Sequence, residues 1–422
     1  MQRTLASSLP AHVGQTVTVA GWVHRHRRLK SVEFLIVRDR TGLTQVVLSP
    51  STVEPLPAES VVTVTGRVAA NPAAPSGVEL TEPTVRLREP AEPLPFELHR
   101  PTLAATLPTQ LDQAHLALRH PARQAVFRAG AAAVCGFRST LDGLGFVEVQ
   151  TPKIVGSATE SGANVFPVDY FGQPAYLAQS PQFYKQALVG VFERVYEVGP
   201  VFRAEPHDTA RHLAQYTSLD VELGFIEDHR DVMAVLRQAL AGMLAAVAER
   251  HPSLVDTKVP EEIPVVHFVD ALAMAEKALG GEDGEALDLA PAHERWLGEW
   301  ALREHGSDFL FVEGYPAAKR PFYTHPSPRR PGFTNGFDLL FRGVELVTGG
   351  QRLHRYDDYL AALAARGESP EPYRSYLDVF RHGMPPHGGF AIGLERFLAR
   401  LTGAANVREV TLFPRDLNRL TP

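Results

Sequence analysis

The stretch VFRAEPHDTARHLAQYTSLDVE, Val201–Glu222, decides the fold. An apolar run, Arg194–Phe202, leads into Arg203-Ala204-Glu205 and a polar loop holding His207, Arg211 and His212. A second run follows, from Tyr216 through Asp220 to Glu222, and continues as Ser218–Phe225. Two strand-length runs about a polar loop read as neighbouring strands. Further apolar strands are expected at Phe309–Glu313, Gly336–Phe341 and Gly389–Ile392, mixed with helical patterns at Arg123–Leu144 and near 229–249, 291–304 and 355–366. Such irregular succession argues for an α+β domain with an antiparallel sheet, not a βαβ repeat. An arginine at a strand end, followed by a loop of arginine and histidine, suits a polyphosphate, because guanidinium offers paired donors in a fixed fork. Taken alone, a solvated surface loop is the better reading.

Two later pieces bear on the same chemistry. In His387-Gly388-Gly389-Phe390-Ala391-Ile392-Gly393-Leu394-Glu395-Arg396 a glycine-rich strand runs into a short helix carrying Arg396, and the glycines allow a flat ligand to approach the backbone. In Asp338–His354, Asp338 and Glu345 flank a turn at Arg342-Gly343. As hairpin neighbours they could hold Mg²⁺ on phosphates; standing alone they read better as surface acids. There is no GxxxxGK[ST] loop, so the usual P-loop route to ATP is absent.

The first 95 residues read differently. Runs rich in β-branched residues at Thr16–His24, Val32–Asp39, Leu43–Leu48, Val61–Val68 and Val78–Leu87 are separated by turn signals such as Arg40-Thr41-Gly42 and Asn71-Pro72. Five short strands point to a barrel of the OB type. Prolines at 90, 93, 95, 101 and 108 mark a linker. The expected organisation is a barrel over 1–95, a linker or hinge over 96–122 and a second domain over 123–422.

Composition fits this. The 422 residues are 44% hydrophobic and 21% charged, enough for large cores and too apolar for global disorder. Net charge is −6, but the first 95 residues carry 10 Lys+Arg against 8 Asp+Glu, and the remainder 32 against 40. Any phosphate contact must therefore come from a local basic patch. The single cysteine, Cys135, excludes an internal disulfide and a cysteine zinc cluster, and suits the cytoplasm. No signal peptide and no membrane span are expected from the sequence.

Taken together, the three pieces resemble motifs 2 and 3 of class II aminoacyl-tRNA synthetases, in the right order and near the chain end. The match is best with aspartyl-tRNA synthetases of the compact archaeal type, and it covers almost the whole chain: Gly21-Trp22-Val23, Phe34–Arg40, Ala178–Gln186 and Phe413–Asp416 also agree. The resemblance implies an OB-fold anticodon-binding barrel and a catalytic domain whose antiparallel sheet is flanked by helices. The implied reaction uses ATP to attach L-aspartate to tRNA-Asp through an aspartyl-adenylate.

It implies roles residue by residue. Arg203 would contact the α-phosphate and substrate carboxylate, with Glu205, Leu213 and Gly393 beside it. Arg211 and His212 would hold the outer phosphates. Adenine would lie between Tyr216 and Arg396. Glu345, supported by Asp338 and Thr348, would bind Mg²⁺. Lys185 and Arg352 would be two cations aimed at the aspartate side chain, with Ser180, Gln182, Asp220 and Thr348 completing the pocket and Glu160 on a closing loop. Phe34 would stack an anticodon base, Gln45 and Glu79 would read base edges, and Arg25, His26 and Arg27 would meet phosphates and bases; a plain core role for Phe34 stays open. Phe146–Pro152 resembles motif 1, which implies a homodimer. His24, His26 and the lysine-free loop ending at Pro75 lean towards relaxed tRNA choice, with tRNA-Asn charged as well. The rivals are an asparaginyl-tRNA synthetase, which Lys185 in SPQFYKQ opposes, an aspartate-amidating synthetase, which the first 95 residues oppose, and an inactive RNA-binding paralogue, which the retained arginines oppose.

Overall fold

The computed structural model describes residues 3–157, 164–280 and 286–421, and these form two compact units, Met1–Arg123 and Gln124–Pro422. In the first, strands β1 (Thr16–Arg28), β2 (Glu33–Arg38), β3 (Leu43–Leu48), β4 (Val61–Ala70) and β5 (Val78–Glu89) close a barrel in the order β1-β2-β3-β5-β4. Alternation is the cause: Val62 and Val64 of β4, Leu35 and Val37 of β2, and Val46 and Leu48 of β3 point inward into one core, so the intervening side chains face out.

The segment read as a linker is more ordered than expected. It carries two short helices, α1 (Leu107–Asp112) and α2 (Ala114–Ala117), and buries Leu98, Leu111, Ala114 and Ala117. Arg119 donates to Glu59 at 3.0 Å and the His120 ring meets the Arg100 carbonyl at 2.9 Å. The prolines break regular structure there without leaving the chain unpacked.

The second unit begins within helix α3 (Pro121–Gly143) and contains β6 (Val147–Glu148), a small sheet of β7 (Ile154–Val155), β8 (Pro167–Tyr170) and β9 (Gln173–Leu177), and helix α4 (Gln182–Phe192). Then come β10 (Arg194–Phe202), β11 (Gln215–Gly224), α5 (His229–Arg250), β12 (Val265–His267), α6 (Phe268–Leu279), α7 (Pro291–His305), β13 (Phe309–Glu313), β14 (Gly336–Phe341), β15 (Val344–Gln351), α8 (Tyr356–Ala365), α9 (Arg374–Leu377), β16 (His387–Gly393) and α10 (Leu394–Thr402). The main sheet has the order β12-β13-β14-β15-β16-β11-β10-β6. Its interior is antiparallel, as expected; only the outermost pairs, β12 with β13 and β10 with β6, are parallel.

One face of this sheet is core. Leu219, Val221 and Leu223 of β11, Phe390 and Ile392 of β16 and Phe337 and Leu339 of β14 pack with α3 and α5. Helix α5 is apolar and long enough to cross a bilayer, but its stripe of Val232, Leu236, Leu240, Met243 and Val247 is buried in that core, and Asp228 caps its start by accepting from the Arg230 amide. Across the sheet, α7 runs backbone to backbone against the β14–β15 turn. A Cβ on Gly298 would sit 2.4 Å from the Gly343 nitrogen, and one on Gly343 (φ +69°) would sit 2.9 Å from the Arg295 Cα.

Candidate functional site

The opposite face of β11 carries Tyr216, Ser218, Asp220 and Glu222, every second residue, while their neighbours fill the core. Register then builds a continuous polar surface. Ser218, Asp220 and Glu222 pair with Gly393, Ala391 and Gly389 of β16, and Ala391 pairs onward with Thr348 of β15. In β15 the spacing changes: Leu340 pairs with Glu345 but Leu339 with Val347, so Leu346 is an extra residue, a bulge. The bulge brings Glu345 and Thr348, three apart, to the same side, with the Thr348 hydroxyl 3.4 Å from Glu345 Oε1.

A cleft of about 180 Å³ opens over this surface, lined among others by Arg203, Glu205, Arg211, His212, Leu213 and Tyr216 from the β10–β11 region and by Glu345, Thr348, Gly393 and Arg396. Nine residues expected for nucleotide binding thus meet at one place. Arg203 lies over the Tyr216 ring, 5.7 Å from its centroid, and Arg396 donates to the Glu345 carbonyl at 2.8 Å and lies 3.3 Å from its carboxylate. Burial, with the Arg396 charge adding to it, holds His212 below the usual imidazole range. A second cavity of about 610 Å³ shares Tyr216 and Glu395 with the cleft, but its walls, Phe127, Val134, Leu394, Leu398 and Val410 among them, are mainly apolar and ill suited to phosphate.

Asp338 is not in the cleft lining. Its carboxylate is buried: Oδ2 accepts from Arg320 at 2.7 Å, Oδ1 has no hydrogen-bond partner among the described residues, and the residue pairs across the strands with Thr348, whose hydroxyl lies 3.4 Å from Glu345 Oε1. Glu294 of α7 was not foreseen. Its carboxylate accepts from the Glu345 amide at 3.0 Å and from Arg211 at 3.4 Å, tying the two sides of the cleft together, and burial raises its pKa. The available signal was a carboxylate on the stripe Glu294, Leu297, Ala301, all buried.

Beside the cleft, Lys185 and Arg352 do come together, but not as expected. Lys185 Nζ lies 3.0 Å from Asp220 and 3.3 Å from Glu222, and Arg352 Nε lies 3.0 Å from the other Glu222 oxygen. Arg352 also donates to the Gly389 carbonyl at 3.0 Å. Exposure is 2% for Lys185, 2% for Asp220, 0% for Glu222 and 6% for Arg352. The two cations are therefore not short of a counter-charge: among the described residues the four groups form a buried quartet of zero net charge. Burial works to raise the Glu222 pKa, but Arg352 and Lys185 together outweigh it and hold the carboxylate below its usual range. Gly389 serves this quartet rather than a flat ligand, since a Cβ there would lie 2.1 Å from Glu222 Oε2. The glycine beside the cleft is Gly393, where a Cβ would sit 3.9 Å from the Tyr216 ring.

A hydrogen-bond chain continues from the quartet's edge. Gln182 donates to Gln186 at 2.9 Å, and Gln186 donates to Tyr359 at 3.1 Å and lies 2.8 Å from His387 Nε2. His387 Nδ1 meets the Pro385 carbonyl at 2.9 Å, so the ring is neutral, protonated on Nδ1; burial pushes its pKa down to about 4. Ser180 accepts from the Gln182 amide at 3.3 Å. Glu160 lies outside the described residues.

On the barrel, Phe34, Gln45 and Glu79 occupy the outward positions of β2, β3 and β5, so Phe34 is not a core residue. Gln45 and Asn71 both donate to Glu79, at 2.9 and 2.8 Å. Arg25 and Arg27 are exposed, and Pro75 opens a short turn before β5. His26 is turned in: its side chain is 5% exposed, 3.0 Å from Glu33, and its other nitrogen accepts from the Leu56 amide at 3.3 Å. It supports β1 and β2 rather than facing a nucleic acid. His24 is also partly buried, and burial followed by the Arg38 charge lowers its pKa.

Comparison with known proteins sharpens this. Residues 106–417 match the family model for tRNA synthetases class II (D, K and N), and residues 17–88 match that for the OB-fold nucleic acid binding domain. An aspartate–tRNA(Asp/Asn) ligase of Deinococcus radiodurans is 47% identical, covering 100% of this chain and 99% of the relative. One of the same name from Thermus thermophilus is 46% identical over 100% of both. Among solved structures, the asparaginyl-tRNA synthetase of Pyrococcus horikoshii complexed with asparaginyl-adenylate superimposes with a TM-score of 0.93 at 30% identity, over 100% of both chains.

Proposed function

Because the chain belongs to the class II tRNA synthetases of the aspartyl, lysyl and asparaginyl group, we propose that it joins L-aspartate to tRNA-Asp at the expense of ATP, and charges tRNA-Asn as well. The observation that carries the first part is the convergence of Arg203, Arg211, His212, Tyr216, Glu345 and Arg396 on one cleft beside the Lys185–Arg352 quartet.

Aspartate's α-carboxylate attacks the α-phosphorus of ATP in line and expels pyrophosphate; the terminal ribose hydroxyl of tRNA then attacks the aspartyl carbonyl of the adenylate, forming the ester and releasing AMP. No protein nucleophile is needed, so the residues act by positioning and by neutralising charge. Arg203 meets the α-phosphate, Arg211 and His212 the outer phosphates, and adenine lies between Tyr216 and Arg396. Glu345 and Thr348 offer a carboxylate and a hydroxyl 3.4 Å apart, an oxygen set that fits Mg²⁺, which when bound neutralises phosphate charge. Lys185 and Arg352 select the side chain, but an entering carboxylate must share them with Asp220 and Glu222. Selectivity over asparagine is then the difference between adding an anion and adding a neutral amide to a quartet already balanced.

The barrel reads the anticodon through Phe34, Gln45, Glu79, Arg25 and Arg27, with phosphate contacts from the two arginines. The motif 1 segment around β6 forms a homodimer, and the enzyme works in the cytoplasm with ATP, aspartate and tRNA as partners. Relaxed tRNA choice rests on the (Asp/Asn) relatives together with the lysine-free Pro72–Pro75 loop. Pyrophosphate exchange with aspartate, asparagine and lysine tests the amino acid: exchange driven by asparagine instead of aspartate would overturn it. Aspartylation of purified tRNA-Asp and tRNA-Asn side by side tests the rest, and strict rejection of tRNA-Asn would remove the second activity.

A further inference from the structure

The β10–β11 loop brings together a donor set that adenylate chemistry uses only in part. Glu205, His207 and His212 each present a ligand atom, and these atoms lie within 4.8 Å of one another. His207 Nδ1 is 3.3 Å from Glu205 Oε2, the two imidazoles are 4.9 Å apart between centroids, and His212 Nδ1 is held by the Thr209 hydroxyl at 2.6 Å. With Nδ1 donating, that last bond would do what an outer-shell partner does in a metal site, fixing the ring and leaving Nε2 to coordinate. Two imidazoles and one carboxylate are not a Mg²⁺ set, since Mg²⁺ takes oxygen ligands in octahedral geometry; they are a set for first-row ions that favour nitrogen, Zn²⁺ above all.

We propose that this loop is a chelating site for Zn²⁺ and related transition ions, with Glu205, His207 and His212 as ligands and water completing the shell. It is separate from the Glu345–Thr348 oxygen pair. Two of its ligands, Glu205 and His212, line the nucleotide cleft, whereas His207 does not. A bound ion therefore withdraws them from ATP, and metal and ATP compete for the loop; this consequence rests on the nucleotide role given above. The site makes the enzyme sensitive to free transition metal through a three-residue clamp within eight residues of chain.

Co²⁺ is the probe, added to the full-length protein without ATP. A visible ligand-field band that saturates at one equivalent and is displaced by Zn²⁺ is expected for the wild type. His207→Ala should lose the band; the residue is half exposed and outside the nucleotide site, so fold and Mg²⁺-dependent pyrophosphate exchange should be retained. With about nine-tenths of the wild type occupied by Zn²⁺, the apparent KM for ATP should rise roughly tenfold, and in His207→Ala it should not move. No saturable band, or a band unchanged in His207→Ala, overturns the site. A normal band with an unchanged ATP requirement overturns the competition, and with it the place of Glu205 and His212 at ATP.

Discussion

The second unit holds two charged regions side by side on one sheet face, and they are built on opposite terms. The nucleotide cleft is open: Arg203 is 43% exposed, Arg211 and Arg396 about a third, and each has a carboxylate neighbour, Glu205, Glu294 and Glu345 in turn. The quartet of Lys185, Asp220, Glu222 and Arg352 is buried and, among the described residues, neutral. Charge in the open cleft stays in water and can turn to a polyphosphate at small cost to folding. Charge in the sealed quartet must first be satisfied within the protein, so it is structural before it is selective.

That contrast can be broken by mutation. Glu222→Gln leaves Lys185 and Arg352 sharing one carboxylate in a dry site, and should cost about 3–5 kcal/mol in urea unfolding along with aspartate-dependent exchange; a loss under about 1 kcal/mol would mean that water reaches the quartet. Arg203→Ala should do the reverse. Exchange should fall roughly 10²- to 10³-fold, whereas the unfolding free energy stays within about 0.5 kcal/mol; a large stability loss there would erase the distinction.

Acid should strike the sealed side. His387 is held neutral, its pKa lowered to about 4. The unfolded chain takes up that proton below pH 6.5 and the folded chain refuses it until about 4, so stability is full above 6.5 and drains as pH falls through that window, by about 3 kcal/mol at about 1.4 kcal/mol per unit. Denaturation curves for wild type and His387→Asn between these limits should diverge by this slope; parallel curves would show that His387 is hydrated. The smallest effect is expected where the two sides of the open cleft are pinned. Glu294→Gln keeps the bond to the Glu345 amide but drops the charge facing Arg211, and should cost about 0.2–1 kcal/mol, read as a modest change in KM for ATP.

Much of this was legible in the sequence, and the reasons differ by residue. Alternation in Tyr216–Glu222 assigns one face to chemistry and the other to the core, and register then follows from the buried set. The barrel strands were legible for the same reason. The pairing of Lys185 with Asp220 and Glu222 was not, because it joins a helix to a strand 35 and 37 residues away, a contact that no local pattern encodes. The bulge at Leu346 was hidden too: counting by twos puts Glu345 and Thr348 on opposite faces, and only the register shift reunites them. His26 looked like part of a basic run, and the partner that turns it inward, Glu33, sits on the next strand. The glycines of β16 were rightly singled out as places of close approach, but at Gly389 the approaching group is the protein's own carboxylate.

The contact of α7 with the β14–β15 turn has an evolutionary consequence. Gly298 and Gly343 meet with no room for a side chain on either, and one residue in that helix and one beside that turn, Glu294 and Glu345, are bonded across the same contact. Neither glycine can drift, because a side chain at Gly298 strikes the backbone of Gly343, and one at Gly343 strikes the helix backbone at Arg295. A lineage could change this corner only by separating the two segments, and separation would carry Glu345 away from the carboxylate that anchors it. Libraries randomised at either position should come back almost empty, a blank spot at two residues that touch no substrate themselves.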